Sequence, residues 1–223
     1  MTTAFPGAVD AFTNPTATDA LDSATVPHAA QHANINDAVE AVETYLLAQN
    51  FGFNSGFYYR PAPGRTDATT TIVSSTYYLP FFVPAKGTFD RIAIQTSSTY
   101  VGTGAVRMGI YNNDVATNKP STVVLDAGTV ATTAASTVYE ITISQTLTGG
   151  VYWLAFNMQT APATPRYTGT VIGFVLSPML ISGTAAFGTP AGAWVETGIT
   201  GAFATAGTLA TSTIAGSLSV RAL

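Results

Sequence analysis

The side chains best able to do chemistry are few and scattered. His28 and His32 are the only histidines, four positions apart, so on a helix they share one face. A zinc-protease helix needs a glutamate directly after the first histidine, and that position holds Ala29. The sequence suggests no third ligand, so no metal or cofactor is expected, and the pair is read as capping and interhelical hydrogen bonding. An ion on a symmetry axis, shared by three copies, is the sharper alternative. The absence of cysteine excludes disulfides, thiolate metal sites and cysteine nucleophiles. A Ser-His-Asp triad would have to borrow one of the same two histidines, which lie far along the sequence from the β-rich remainder. A glycosidase needs two carboxylates at a suitable separation, and Asp90, Asp114, Asp126, Glu140 and Glu196 are the candidates. Asp114 falls in a turn cluster and Glu140 faces outward by strand alternation, so these read as turn and surface residues. No enzyme is expected.

Adjacent aromatic residues offer another chemistry, the stacking of sugars: Tyr58-Tyr59, Tyr77-Tyr78 and Phe81-Phe82. In a strand, neighbours point to opposite faces, so one of each pair is expected in the core and the other at a surface or interface. Tyr77, Tyr78 and Trp194 are the candidates for glycan or subunit contact.

The elements that would position these groups follow from composition and period. Only 9% of the 223 residues are charged while 47% are hydrophobic, against roughly 25% charged in an ordinary soluble domain. The surface must be covered largely by Thr, Ser, Asn, Gln and Gly, which suits strands better than helices. Low surface charge also leaves little protection against association, so an oligomer or particle lattice is a natural setting. Residues 1–50 carry six acids and no Lys or Arg, and the remainder, at +2, brings the net charge to −4. Neither part has a basic patch, so nucleic-acid binding is not expected. The N-terminus lacks a basic and apolar leader, and the longest apolar run, Thr170 to Ile181, is short and broken by Gly173 and Pro178. Synthesis in a cytoplasm without membrane insertion is the expectation.

Residues 1–24 show no periodicity, and Phe5, Val9 and Phe12 are the large apolar groups before Leu21. This is either a disordered tail or an extended arm whose Phe5 and Phe12 plug into a partner. Thr25 as N-cap and Pro27 in the first turn then open a predicted helix. Ile35, Val39, Val42 and Leu46 form its apolar seam, and Asn50 and Gly52 mark its stop. The seam could pack on the β domain or on copies of itself about a three-fold axis. Residues 53–68 read as a Gly/Pro-rich linker. From about Thr69 the period switches to two: Phe89, Ile92 and Ile94, then Val106, Met108 and Ile110, then Tyr139, Ile141 and Ile143, and finally Leu218, Val220 and Ala222. Val151 to Phe156 is nearly all apolar, as in a central buried strand. Thr170 to Leu176 is a further candidate. Turn clusters at 112–114, 118–120 and 149–150 punctuate these runs. Residues 183–213, Gly-, Ala- and Thr-rich around Trp194, read as a long loop or a hairpin between subunits. The expected organisation is an arm plus helix over 1–52, a linker over 53–68 and an antiparallel jelly-roll-like β-sandwich over 69–223.

The stretch 5–19, Phe-Pro-Gly-Ala-Val-Asp-Ala-Phe-Thr-Asn-Pro-Thr-Ala-Thr-Asp, followed by Val26-Pro27-His28 and by 32–43, His-Ala-Asn-Ile-Asn-Asp-Ala-Val-Glu-Ala-Val-Glu, resembles the N-terminal particle-attachment segment of tailed-bacteriophage structural proteins: tail fibres, head fibres and minor virion proteins. Leu79-Pro80-Phe81-Phe82-Val83-Pro84, Gly109-Ile110-Tyr111 and 147–155, Leu-Thr-Gly-Gly-Val-Tyr-Trp-Leu-Ala, resemble a jelly-roll module found downstream in such proteins. The resemblance implies a non-enzymatic virion structural protein, a homotrimeric fibre or capsid-decoration subunit. Phe5, Phe12, Ile35, Val39, Val42 and Leu46 are the expected attachment or oligomer contacts, with other capsid or tail proteins as partners. The alternatives are a host-surface glycan-binding adhesin and a polysaccharide depolymerase.

Overall fold

Alternating apolar residues need two covered surfaces, and the chain meets that need with paired antiparallel sheets. The computed structural model describes residues 32, 35–42, 44, 52–61, 66–70, 73–164, 166–169, 193–212 and 218–223. The chain divides into two compact units, Met1–Phe51 and Gly52–Leu223. In the first, residues 35–42 are helical, as the seam spacing predicts.

The second unit is an antiparallel β-sandwich. Its strands are β1 (Tyr58–Tyr59), β2 (Thr66–Thr70), β3 (Ser75–Val83), β4 (Gly87–Gln95), β5 (Gly104–Asp114), β6 (Lys119–Thr132), β7 (Val138–Leu147), β8 (Gly150–Thr160), β9 (Arg166–Gly169), β10 (Ala193–Thr197), β11 (Ala210–Ser212) and β12 (Leu218–Ala222). One sheet runs β1-β12-β4-β7 and the other β11-β10-β3-β8-β5-β6, while β2 and β9 form a separate ribbon. Between the two larger sheets lie Leu79, Phe81 and Val83 of β3, Phe89, Ile92 and Ile94 of β4, Val106, Met108 and Ile110 of β5, and Leu218 and Val220 of β12, all buried in one core. Phe89 and Ile92 break the odd-even rule yet both face inward, because the β4–β7 register shifts between Phe89 and Arg91. A bulge of this kind adds one residue and turns the following side chains over.

Strand β8 pairs with β3 on one side and β5 on the other, so its apolar run sits mid-sheet. Trp153, Leu154, Ala155 and Phe156 are all buried, whichever way they point. The terminal strand β12 lies between β1 and β4. The β5–β6 hairpin closes at Asp114, whose carboxylate accepts from Ala116 N–H and Thr117 Oγ1, with Asn118 at φ 53°.

Within the stretch 53–68 expected as a linker, the described residues include Phe53 and Tyr58–Tyr59, which contact the sandwich, and the start of the β2–β9 ribbon. Tyr58 and Tyr59 pair with Arg221 and Val220, and Thr66–Thr70 pairs with β9. The Phe53 ring lies 4.5 Å from Tyr59, 4.9 Å from Phe89 and 5.7 Å from Phe81 between centroids. Gly87 makes room for it, since a Cβ there would stand 3.0 Å from Phe53 Cδ2. Turn-forming composition concealed these contacts because their partners are distant in sequence.

Candidate functional site

The helix presents the first candidate surface. Ile35, Val39 and Val42 are 56, 51 and 40% exposed, an apolar stripe open to whatever can cover it. Phe5, Phe12, Leu46 and His28 lie outside the described residues, and His32 is helical and exposed. Among the described residues no three His, Asp or Glu side chains are grouped to hold a metal ion.

The aromatic candidates require a correction. Tyr77 and Tyr78 do point to opposite faces of β3, but each is only 1% exposed, so neither ring is open to a sugar or a neighbour. Tyr77 stacks on Phe156, centroids 5.1 Å apart, inside the sandwich. Tyr78 faces the outer side of the six-stranded sheet, which is itself covered. There Tyr111, Trp153 and Ala155 form a second core under Phe203, with Trp194, Ala206 and Leu209 packed against it. Thus Trp194 and the described part of 183–213 make contacts within the chain. Trp194 pairs with Tyr78 across β10–β3, and Lys119 Nζ lies 4.8 Å from the centroid of its ring.

This cover, residues 198–209, is fastened by backbone hydrogen bonds that the rest of the sheet receives. Phe203 N–H donates to Asp126 Oδ2 at 3.0 Å, Gly207 N–H to Glu196 Oε1 at 2.9 Å, Ala206 N–H to the Ser121 carbonyl at 2.8 Å and Gly201 N–H to Gln159 Oε1 at 2.8 Å. Asp126 is also gripped by Arg107, whose Nε and Nη2 donate at 2.8 and 2.7 Å. Tyr78 Oη donates to Glu196 Oε2 at 2.8 Å. Burial raises the Tyr78 phenol far above its ordinary range, and burial pushes that of Tyr111 up to about 12.

On the outer side of the four-stranded sheet, Arg221 donates to both oxygens of Asp90, at 2.9 and 2.5 Å, and lies over the Tyr58 ring. Tyr58 Oη donates to Glu140. Burial, followed by that bond, raises the Tyr58 phenol to about 12. Each of the five carboxylates weighed as a glycosidase pair is therefore engaged: Asp90 by Arg221, Asp114 by its turn, Asp126 by Arg107 and Phe203, Glu140 by Tyr58, and Glu196 by Tyr78 and Gly207. Sequence reasoning missed Phe203, Gly109 and the Asp90–Arg221 pair, which residue types and local spacing do not signal.

Three of these carboxyls are held below the usual carboxylate range. Asp90 is lowered first by the hydrogen bond from Arg221, and Asp114 first by that from Thr117. At Asp126 burial acts upward, but Arg107 and the N–H groups of Phe203 and Gly128 outweigh it. A folded-state value below the unfolded one gives stability that is present above the unfolded pKa, near 4, and lost as pH falls through the folded value. Urea midpoints should therefore be level from pH 7 to about 5 and decline below about pH 4. The decline should be shallower in Asp126→Asn. An unchanged pH profile in that variant would contradict the assignment.

No protein-family profile, curated protein or solved structure matches this chain.

Proposed function

We propose that this protein is a non-enzymatic structural subunit of a bacteriophage virion, a trimeric fibre or decoration protein on capsid or tail. Its N-terminal segment fastens it and its β-sandwich is the body that is carried. The observation that carries the reading is the contrast between the two units. The helix leaves Ile35, Val39 and Val42 uncovered, whereas the sandwich closes its own core and covers Tyr78, Tyr111 and Trp153 on the outer face of its larger sheet. Association through the helix removes apolar side chains from water, at roughly 25 cal/mol per Å² before ordering costs. The resemblance of residues 5–46 to phage attachment segments gives the partner: another virion protein.

Strand order supports a jelly-roll reading of the body. Strands β1-β12-β4-β7 stand in one sheet and β3-β8-β5-β6 are neighbours in the other, so the chain crosses repeatedly between sheets as two Greek keys do. Two observations weigh against the rival readings. The engaged carboxylates leave none of the five weighed without a structural partner, which disfavours a depolymerase, and the burial of Tyr77 and Tyr78 takes two of the three rings singled out for glycan contact out of a sugar's reach. The test is transplantation. Residues 1–51 fused to an unrelated carrier should bring that carrier onto purified particles. A carrier that stays off particles bearing the full chain would refute the attachment role.

A further inference from the structure

Between β10 and β11 the chain leaves its sheet and crosses the outer side. Val195 pairs with Ala210, so the two limbs of this loop start beside each other. From there it reaches Gln159 of β8 through Gly201 N–H, and Asp126 and Ser121 of β6 through the N–H groups of Phe203 and Ala206. Strands β3, β8 and β5 lie between β10 and β6, so the loop spans them all. Gly207 N–H then returns it to Glu196 of β10.

Its hold on the sheet is narrow. Phe203 is the one side chain buried between Thr197 and Thr211. Ile199 is tied down separately: its N–H donates to the Ser74 carbonyl, and its own carbonyl accepts from Asn157 Nδ2. Just beyond it Gly201 stands at φ 80° with open space where a Cβ would be, so the backbone can bend there at little cost. Under the loop, Tyr78, Tyr111 and Trp153 belong to a cluster separate from the inner core. Uncovering them therefore does not open the space between the sheets.

We propose that residues 201–208 are an acid-released flap: protonation of Asp126 and Glu196 frees it and uncovers Tyr78, Tyr111 and Trp153 while the inner core stays folded. Two of the hydrogen bonds that fasten the flap end on these carboxylates. A carboxylate accepts more strongly than a neutral carboxyl, and protonation turns part of its acceptor capacity into a donor. Asp126 faces Arg107 and Tyr111 from β5, while Glu196 faces Tyr78 from β3 and Tyr111. Lys119, at the start of β6, lies over Trp194. Arg107, 5.9 Å from the centroid of the Phe203 ring, stays charged when Asp126 is neutralised, so its own pairing is lost together with the flap's. Burial pushes the Asp126 carboxyl up, but Arg107 and the N–H groups of Phe203 and Gly128 bring it below the usual carboxylate range. Its grip is therefore full above about pH 4 and fades as pH falls through the folded value. The sandwich presents the Gly-, Ala- and Thr-rich flap at neutral pH and an aromatic face in acid.

The chain's two tryptophans, Trp153 and Trp194, lie in or against the covered cluster and so report on the flap. Tryptophan emission and its quenching by acrylamide, followed on the full chain as pH is lowered, test the proposal beside far-ultraviolet circular dichroism. The expected result is a shift to longer wavelength and a rise in quenching below about pH 4, with the β-sheet signal unchanged. Emission that never moves, or that moves only together with loss of the β-sheet signal, overturns the flap. Asp126→Asn/Glu196→Gln keeps both shapes and removes both charges, so its emission should already be shifted at neutral pH. Unshifted emission there overturns the two carboxylates as the latch. Where that variant folds poorly, proteolysis of the unsubstituted chain decides. Pepsin in acid should cut at Phe203, a bond that thermolysin, which also cuts beside large apolar residues, spares at neutral pH. Phe203 left uncut by pepsin, or cut by thermolysin at neutral pH, overturns the proposal.

Discussion

Trp153→Ala should destabilise the sandwich by about 3–5 kcal/mol, the largest effect expected of any single substitution outside the N-terminal segment. The ring lies on the outer side of a strand paired on both edges, yet its exposure is 0% because Phe203 and its neighbours cover that side. Truncation opens a cavity between two layers that cannot collapse freely, since β8 is held by β3 and β5. It also removes the Nε1–H bond to Asn113 Oδ1, 2.9 Å long, which ties the strand to the β5–β6 hairpin. Trp153→Phe keeps most of the volume and loses the bond, so its cost should be nearer 1–2 kcal/mol. Urea unfolding of the three proteins measures both. Equal losses for Ala and Phe would show that the hydrogen bond, rather than the filled space, dominates at this position.

The next largest effect belongs to a glycine. A Cβ on Gly109 would stand 2.5 Å from the Leu125 carbonyl and 2.8 Å from two atoms of the Phe203 ring. The ring can swing away, but the carbonyl belongs to β6, where the register already shifts between Met108 and Gly109. Gly109→Ala is therefore expected to cost about 3 kcal/mol, the upper part of the overpacking range, and to lift the cover at 198–209. Limited proteolysis should then cut within that segment while the rest of the sandwich stays protected, because local opening needs less free energy than global unfolding. Adding Phe203→Ala should relieve only part of the loss, as the carbonyl contact remains. Full relief by that second substitution would place the clash entirely on the ring.

The same outer face explains what was legible in the sequence. Strands β5, β7 and β12 could be read directly, because their inward residues recur at every second position, and β8 from its continuous apolar run. The bulge that turns both Phe89 and Ile92 inward was not legible, because the sequence placed them in one period-two run. Tyr77 and Tyr78 were correctly placed on opposite faces of β3. Their accessibility was not legible, since the cover over Tyr78 comes from a Gly-, Ala- and Thr-rich stretch whose only strong signals are Trp194, Phe203 and Leu209. Such a stretch has no period of its own. It is held by backbone N–H groups donating to Asp126 and Glu196, contacts that span 77 and 11 positions. Phe53 and β1 were hidden for a related reason: Gly/Pro composition reports local turns and is silent on pairing with the far end of the chain. In the N-terminal segment, the seam over 35–42 was legible from spacing alone, and it is helical.

If the N-terminal segment fastens the chain and the sandwich folds independently, one preparation can separate the two roles. Particles purified from cells that produce both the complete protein and a chain starting at Gly52 can be analysed by mass spectrometry for each species. The account predicts that the shorter chain is folded in the lysate and missing from the particles, while the complete chain is present. Recovery of both on the particles in proportion to their expression would contradict it.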